Sequence, residues 1–163
     1  MSDGALGIVD FILPERRDRY RDLLRSPRGR RVVTKALPHF RHFDSRYIVP
    51  LSTRQQDAGV IQDVLTSAGV PPTCYVISDS SEIDNITLPL ADALNRIVGQ
   101  LEGTVVLCKA GVLGYYEGEG ERFILKRRLR SFLRVSVPPR PVRGRQYGTS
   151  ISRSPVRMSS SNS

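Results

Sequence analysis

The spacing of apolar positions changes along the chain, and the change separates two kinds of segment. Near the N-terminus, Tyr20, Leu23 and Leu24 form a stripe in PERRDRYRDLLR, and Val32, Val33, Ala36 and Leu37 form another in RGRRVVTKAL. Steps of three and four residues belong to one face of a helix. Pro14 suits a first helical turn, Ser26-Pro27 ends one helix and opens the next, and Pro38 stops the second. Opposite charges at Glu15–Arg19 and Asp18–Arg21 line the outer surface of the first helix.

Beyond these helices the pattern alternates between strands and helices. SRYIVPL (45–51) reads as a strand. Ser52 and Thr53 with Gln55 and Gln56 offer capping-box spacing. A helix then carries Val60, Ile61, Val64, Leu65 and Ala68 to the stop Gly69-Val70-Pro71-Pro72. TCYVIS (73–78) is a second strand, and PLADALNRIVGQ has Leu90, Ala93, Leu94, Ile97 and Val98 on one helical face. Gly103 ends that helix, and TVVLCK (104–109), VLGYY (112–116) and RFILK (122–126) follow as strands. The glutamates and glycines of EGEGE make a hairpin turn rather than a phosphate loop, since the carboxylates would repel phosphate.

Two helices are thus followed by β-α-β-α-β-β-β. Strand–helix–strand units favour parallel neighbours with right-handed crossovers, whereas the last three strands are joined by turns that permit only an antiparallel meander. The expected fold class is α/β (α+β mixed), with one mixed five-stranded sheet. Residues 1–135 form the expected single globular domain. KRRLRSFLR (126–134) continues the last strand or forms a short basic helix. Residues 136–163, rich in Arg, Ser and Pro with almost nothing to bury, are expected to be a disordered tail.

Composition narrows this little: 39% hydrophobic and 25% charged residues are ordinary for a soluble globular chain of 163 residues. No apolar stretch reaches the length of a membrane span, and the N-terminus lacks the features of a secretory signal. Cys74 and Cys108 each fall in a strand, as reduced buried thiols do. A cytoplasmic location and no membrane partner are the expectations.

Charge changes the picture more. Net charge is +9, but residues 1–54 carry +6, residues 55–121 carry −8, and residues 122–163 carry +11. Two basic segments flank an acidic middle. Nearly all the cations are arginine, whose planar fork suits phosphate and carboxylate. The candidate partner-binding residues are Arg16, Arg17, Arg28, Arg30, Arg31, Arg127, Arg128 and Arg130. The expected function is a small non-catalytic binding module recognising an acidic protein surface. The alternative is sequence-independent binding of a nucleic-acid backbone through the basic helices and tail.

A further alternative rests on the loop SDSSEIDN, where Asp79, Glu82 and Asp84 follow a strand. Carboxylates there could hold a divalent metal for phosphoester hydrolysis. Against it, the spacing fits no metal loop, and Asp, Ser and Asn also populate turns. His39 and His42, with Asp44 nearby, offer a weaker zinc site that needs two further ligands. Ser150, Ser152 and Ser154 stand beside Arg153 and Arg157, where added phosphate could pair. No nucleotide, zincin or hydrolase motif occurs, so no cofactor is implied.

Overall fold

In the computed structural model of this protein, residues 3–127 are described. The chain divides into residues 1–130 and 131–163, and only the first unit is treated below. The expected tail at 136–163, the continuation at 128–134, and Arg128 and Arg130 lie outside the described residues.

The domain is mixed α/β. A 3-10 segment, Asp3–Phe11, precedes a short 3-10 turn at Pro14–Arg16, α1 (Arg17–Leu24) and α2 (Pro27–Ala36). Then come β1 (Ile48–Pro50), α3 (Ala58–Ser67), β2 (Thr73–Ser78), β3 (Ile86–Pro89), α4 (Leu90–Ile97), β4 (Thr104–Lys109), β5 (Leu113–Gly118) and β6 (Glu121–Lys126). Among the described residues the sheet has six strands in the order β1-β6-β5-β4-β2-β3.

Every pairing is antiparallel, which corrects the expected mixed, five-stranded sheet. Two local features account for the difference. First, β1 spans three residues and pairs with β6, with Ile48 opposite Leu125, so α3 leads away to a distant strand. Second, the chain leaving β2 reverses at Asn85, whose φ of 65° lies in the left-handed region. It then pairs Thr87 with Tyr75 as β3 before α4 begins. Asparagine tolerates that conformation because its side chain can bond locally. The expected helix start at Pro89 is therefore the end of an edge strand. The helix expected from Ser52 is also shorter. Gln55 does close a capping box on Ser52, but only around a 3-10 turn, and α3 starts afresh with Asp57 accepting from Gly59 N–H at 2.8 Å.

Side chains alternate between two helical layers. Tyr75, Ile77, Val105, Leu107, Tyr116, Phe123 and Leu125 face the N-terminal segments, where Ile8, Phe11 and Ile12 are wholly buried. Cys74, Val76, Val106, Cys108, Tyr115 and Ile124 face α3 and α4. With both faces covered, the central strands are continuously apolar and lose the in–out alternation of a half-exposed sheet. On the first face, Phe43 stands 5.1 Å from Tyr116 and 4.5 Å from Phe40, in tilted and edge contacts favourable to aromatic rings.

The crossing of α1 and α2 depends on Gly29. A Cβ there would sit 2.3 Å from the Leu23 carbonyl oxygen and 2.8 Å from the Leu23 Cα, both backbone atoms that cannot step aside. Gly29→Ala is expected to cost about 1–3 kcal/mol as the helices are forced apart. Urea unfolding checks this, and an unchanged midpoint would contradict the close approach.

Candidate partner-binding face

The candidate site is built on α2 and the loop 79–85 that faces it. Ser26 caps the helix, its hydroxyl accepting from Gly29 N–H at 3.0 Å, and Pro27 occupies the first turn. Gly29, Val33 and Thr34 turn inward, which leaves Arg28, Arg31, Val32 and Lys35 on the opposite side. Those positions are i, i+3, i+4 and i+7, one continuous stripe about 10 Å long at 1.5 Å per residue. Val32 is 55% exposed in the middle of it. Arg28 and Arg31 form no ion pair among the described residues.

Arg30 points the other way, into the domain. Its Nη2 and Nε donate to Asp84 Oδ1 and Oδ2 at 2.6 and 3.1 Å, and Nη1 donates to the Tyr75 hydroxyl at 3.1 Å. Tyr75 in turn donates to Asn85 Oδ1, and Ser78 N–H donates to Asp84 Oδ1 at 3.0 Å. Burial acts to lower the Arg30 pKa, yet the Asp84 hydrogen bonds and charge leave it above its ordinary value. A two-pronged guanidinium–carboxylate bond is the strongest kind of surface-to-core tie available to these side chains.

Lys35 Nζ lies 3.1 Å from Asp79 Oδ1, off the direction of a hydrogen bond, and that oxygen is buried without an aligned donor among the described residues. Between α2 and the loop lies a cleft of about 400 Å³. Arg31, Thr34 and Lys35 form one wall and Ser78, Asp79 and Ser81 the other.

The remaining sequence candidates divide sharply. Arg17 is half-buried and donates to the Ile12 and Asp10 carbonyls at 2.9 and 3.3 Å, holding the N-terminal 3-10 segment. Arg127 donates to the Gly111 carbonyl at 2.9 Å, pairs with Asp10 Oδ1 at 3.3 Å and lies over the Tyr47 ring. Both basic segments thus meet at Asp10, with half-buried Arg16 close in sequence. The strand register, however, puts this meeting point at the opposite end of the sheet from the α2 cleft. Ser78 and Thr104 pair at one end, whereas Gly111 lies beyond Lys109 at the other. The structure therefore places Arg28 and Arg31 on the outer side of α2 with Arg30 turned inward, and separates all three from Arg17 and Arg127.

The acidic loop does not gather its carboxylates. Asp84 is taken by Arg30 and Asp79 faces Lys35, while Glu82 lines a different depression beside Arg96 and Glu102. No group of three or more potential metal-ligating side chains occurs among the described residues. His42 Nδ1 meets the Tyr20 hydroxyl at 2.5 Å, and its pKa is lowered by burial and by Arg16 and Arg19. Asp44 is bonded by Arg46, and His39 faces Glu119 at 3.5 Å. Burial raises the thiol pKa values of Cys74 to about 11 and Cys108 to about 12.

One polar centre had no counterpart in the sequence reading. Glu117, fully buried in β5, accepts from Gly99 N–H at 2.9 Å, Leu101 N–H at 3.0 Å and the Tyr115 hydroxyl at 2.6 Å. Arg122 completes it at 3.4 Å. An acid within the otherwise apolar LGYYEG was the available signal.

No protein-family model matches this chain, and no curated protein or solved structure shows significant similarity to it. No helix among the described residues is long and apolar enough to cross a membrane.

Proposed function

We propose that this domain is a non-catalytic binding module that recognises an acidic protein surface through the outward stripe of α2. The observation that carries the reading is the mixture of chemistry on that stripe: Arg28 and Arg31, without ion pairs among the described residues, flank the exposed Val32, and Lys35, beside Asp79, ends the stripe. Cations around an apolar centre suit a partner with carboxylates ringing an apolar contact, the core-and-rim arrangement of protein interfaces.

Nucleic-acid binding is served less well by the same residues. A phosphodiester following α2 into the cleft would meet Asp79 and Asp84 on the opposite wall. The cationic group around Asp10 stands at the other end of the sheet and does not extend the track. A backbone reader gains affinity from several simultaneous phosphate contacts, which needs a continuous cationic path.

The test is fluorescence anisotropy of the full chain with a labelled peptide of alternating glutamate and leucine, beside a labelled DNA duplex and a single-stranded RNA. The peptide is expected to bind, and Arg28→Glu with Arg31→Glu to weaken it roughly tenfold while the melting temperature holds, because rim charges act on association and not on folding. Duplex or RNA binding tighter than the peptide and lost in the same double variant would replace this reading with the nucleic-acid one. No binding of any probe would remove both.

A further inference from the structure

Lys109 and Lys126 are both exposed, stand on different strands and form no ion pair among the described residues. The strand register places them together. Leu113 on β5 is opposite Lys109 on β4 and opposite Lys126 on β6, so the two lysines flank one leucine across three adjacent strands. With strands about 4.8 Å apart, their backbones are roughly 10 Å from each other, within reach of one small anion for two four-carbon stems.

This arrangement depends on an irregularity. The β4–β5 register shifts between Leu107 and Lys109, so that Leu107 faces Gly114 while Lys109 faces Leu113. Strict alternation would put Lys109 on the same side as Leu107, under the N-terminal layer. A bulged strand instead presents two successive side chains on one side, and Cys108 and Lys109 both turn toward the α3 layer. Lys126 lies one residue after Leu125, which faces the other layer, and so reaches that same side by ordinary alternation.

The lysines border a cleft of about 370 Å³, within the range of small-ligand sites. Its floor is apolar: Val70, Val112 and Leu113, with Ala68 and Gly69 as the rim at the end of α3. At the end of α3, Leu65 C=O accepts from Ala68 N–H and Thr66 C=O from Gly69 N–H. Arg127, also at the border, is fixed by Gly111 and Asp10 and adds positive charge without being free to leave.

From this juxtaposition we infer that the β4–β5–β6 cleft binds a small monocarboxylate with an aliphatic body, its carboxylate held by Lys109 and Lys126 and its chain laid against Val70, Val112 and Leu113. The ammonium groups supply three donors each and tolerate variable geometry. The apolar floor then discriminates against inorganic anions, which offer charge without a body to bury.

The test is a titration of the full chain with hexanoate, followed through the methyl resonances of Val70, Val112 and Leu113. Inorganic phosphate and hexylamine are the comparison probes. Hexanoate is expected to shift those methyls saturably. Phosphate should bind more weakly and hexylamine not at all. Lys109→Gln with Lys126→Gln should weaken hexanoate by about tenfold or more, as when charge-assisted hydrogen bonds are lost. Both lysines are exposed, so an unchanged melting temperature confirms that the variant remains folded. Unmoved methyls, equal binding by the double variant, or phosphate binding as tightly as hexanoate would each overturn the inference.

Discussion

Glu117→Ala is expected to lower the stability of the domain by about 3–5 kcal/mol, the range seen when one partner of a buried charged network is removed. The carboxylate terminates four donors: Gly99 N–H, Leu101 N–H, the Tyr115 hydroxyl and Arg122. Alanine would leave the buried Tyr115 hydroxyl without its acceptor and Arg122 without its counter-charge, each with a desolvation penalty, and would free the Gly99 and Leu101 amides of the exposed turn to solvent. The two amides belong to the turn after α4, where Leu101 is held at φ 58° and Gly99 at φ 92°. A leucine in the left-handed region is strained, so the glutamate also holds the chain in a conformation that it would otherwise leave. Glu117→Gln keeps the shape and one acceptor oxygen but presents a donor to Tyr115, and is expected to lose less. Urea unfolding measures both. Hydrogen exchange adds a local reading: the Gly99 and Leu101 amides should lose protection in the alanine variant before the sheet does. A loss below about 1 kcal/mol, the ordinary effect of a surface change, would mean that the network is not what fixes this turn.

The parts of this fold legible in the sequence are those fixed by local chemistry. β2 and β4 are unbroken apolar runs bounded by Pro72 and Gly103, and α4 has a complete apolar stripe, so their spacing alone identifies them. The two-residue turn Glu119–Gly120 follows from Gly120 at φ 78°. What was not legible depends on contacts distant in the chain. Whether β1 lies beside β2 or beside β6 is decided by how Ile48 packs against Leu125 and its layer, some 77 residues away, and no spacing near Ile48 encodes it. β3 was hidden because Thr87-Leu88-Pro89 also looks like a helix start, and only its ladder to Tyr75 settles the matter. The N-terminal 3-10 segment has no regular period, yet it supplies Ile8, Phe11 and Ile12 to the core.

The candidate site was legible as charge and not as geometry. Segregated charge pointed to arginines at both ends of the domain, from Arg16 to Arg130; of the three on α2, Arg28, Arg30 and Arg31 look alike in sequence, and helical phase alone separates the inward one from the outward two. The acidic loop and the basic helix are the two walls of one cleft, a placement that no local spacing encodes.

That division of labour within α2 leads to the second large effect. Arg30→Ala is expected to destabilise the domain by about 2–4 kcal/mol, near the range for breaking a well-bonded and largely buried ion pair. Its guanidinium and the Asp84 carboxylate are only 15% and 22% exposed, and the pair is joined by two hydrogen bonds. Without Arg30, Asp84 retains Ser78 N–H but loses its counter-charge while still largely shielded on the cleft wall, and the Tyr75 hydroxyl loses a donor. Asp84→Asn should lose less, since an amide oxygen still accepts from Arg30 and Ser78. The double variant should fall short of the sum of the singles by about 1–3 kcal/mol, the coupling of groups in direct contact. Chemical denaturation of the four proteins measures that difference, and strictly additive losses would show that the pair is not the tie. The effect on binding separates the two roles of the helix. Under the proposed function, Arg28→Glu with Arg31→Glu should weaken the acidic peptide at constant stability, because both side chains are exposed and neither forms an ion pair among the described residues. Arg30→Ala should weaken it only as far as loop 79–85 comes loose, and at low temperature, where the fold persists, the loss should shrink. An arginine that instead contacted the partner directly would lose peptide affinity fully at every temperature, with the fold intact.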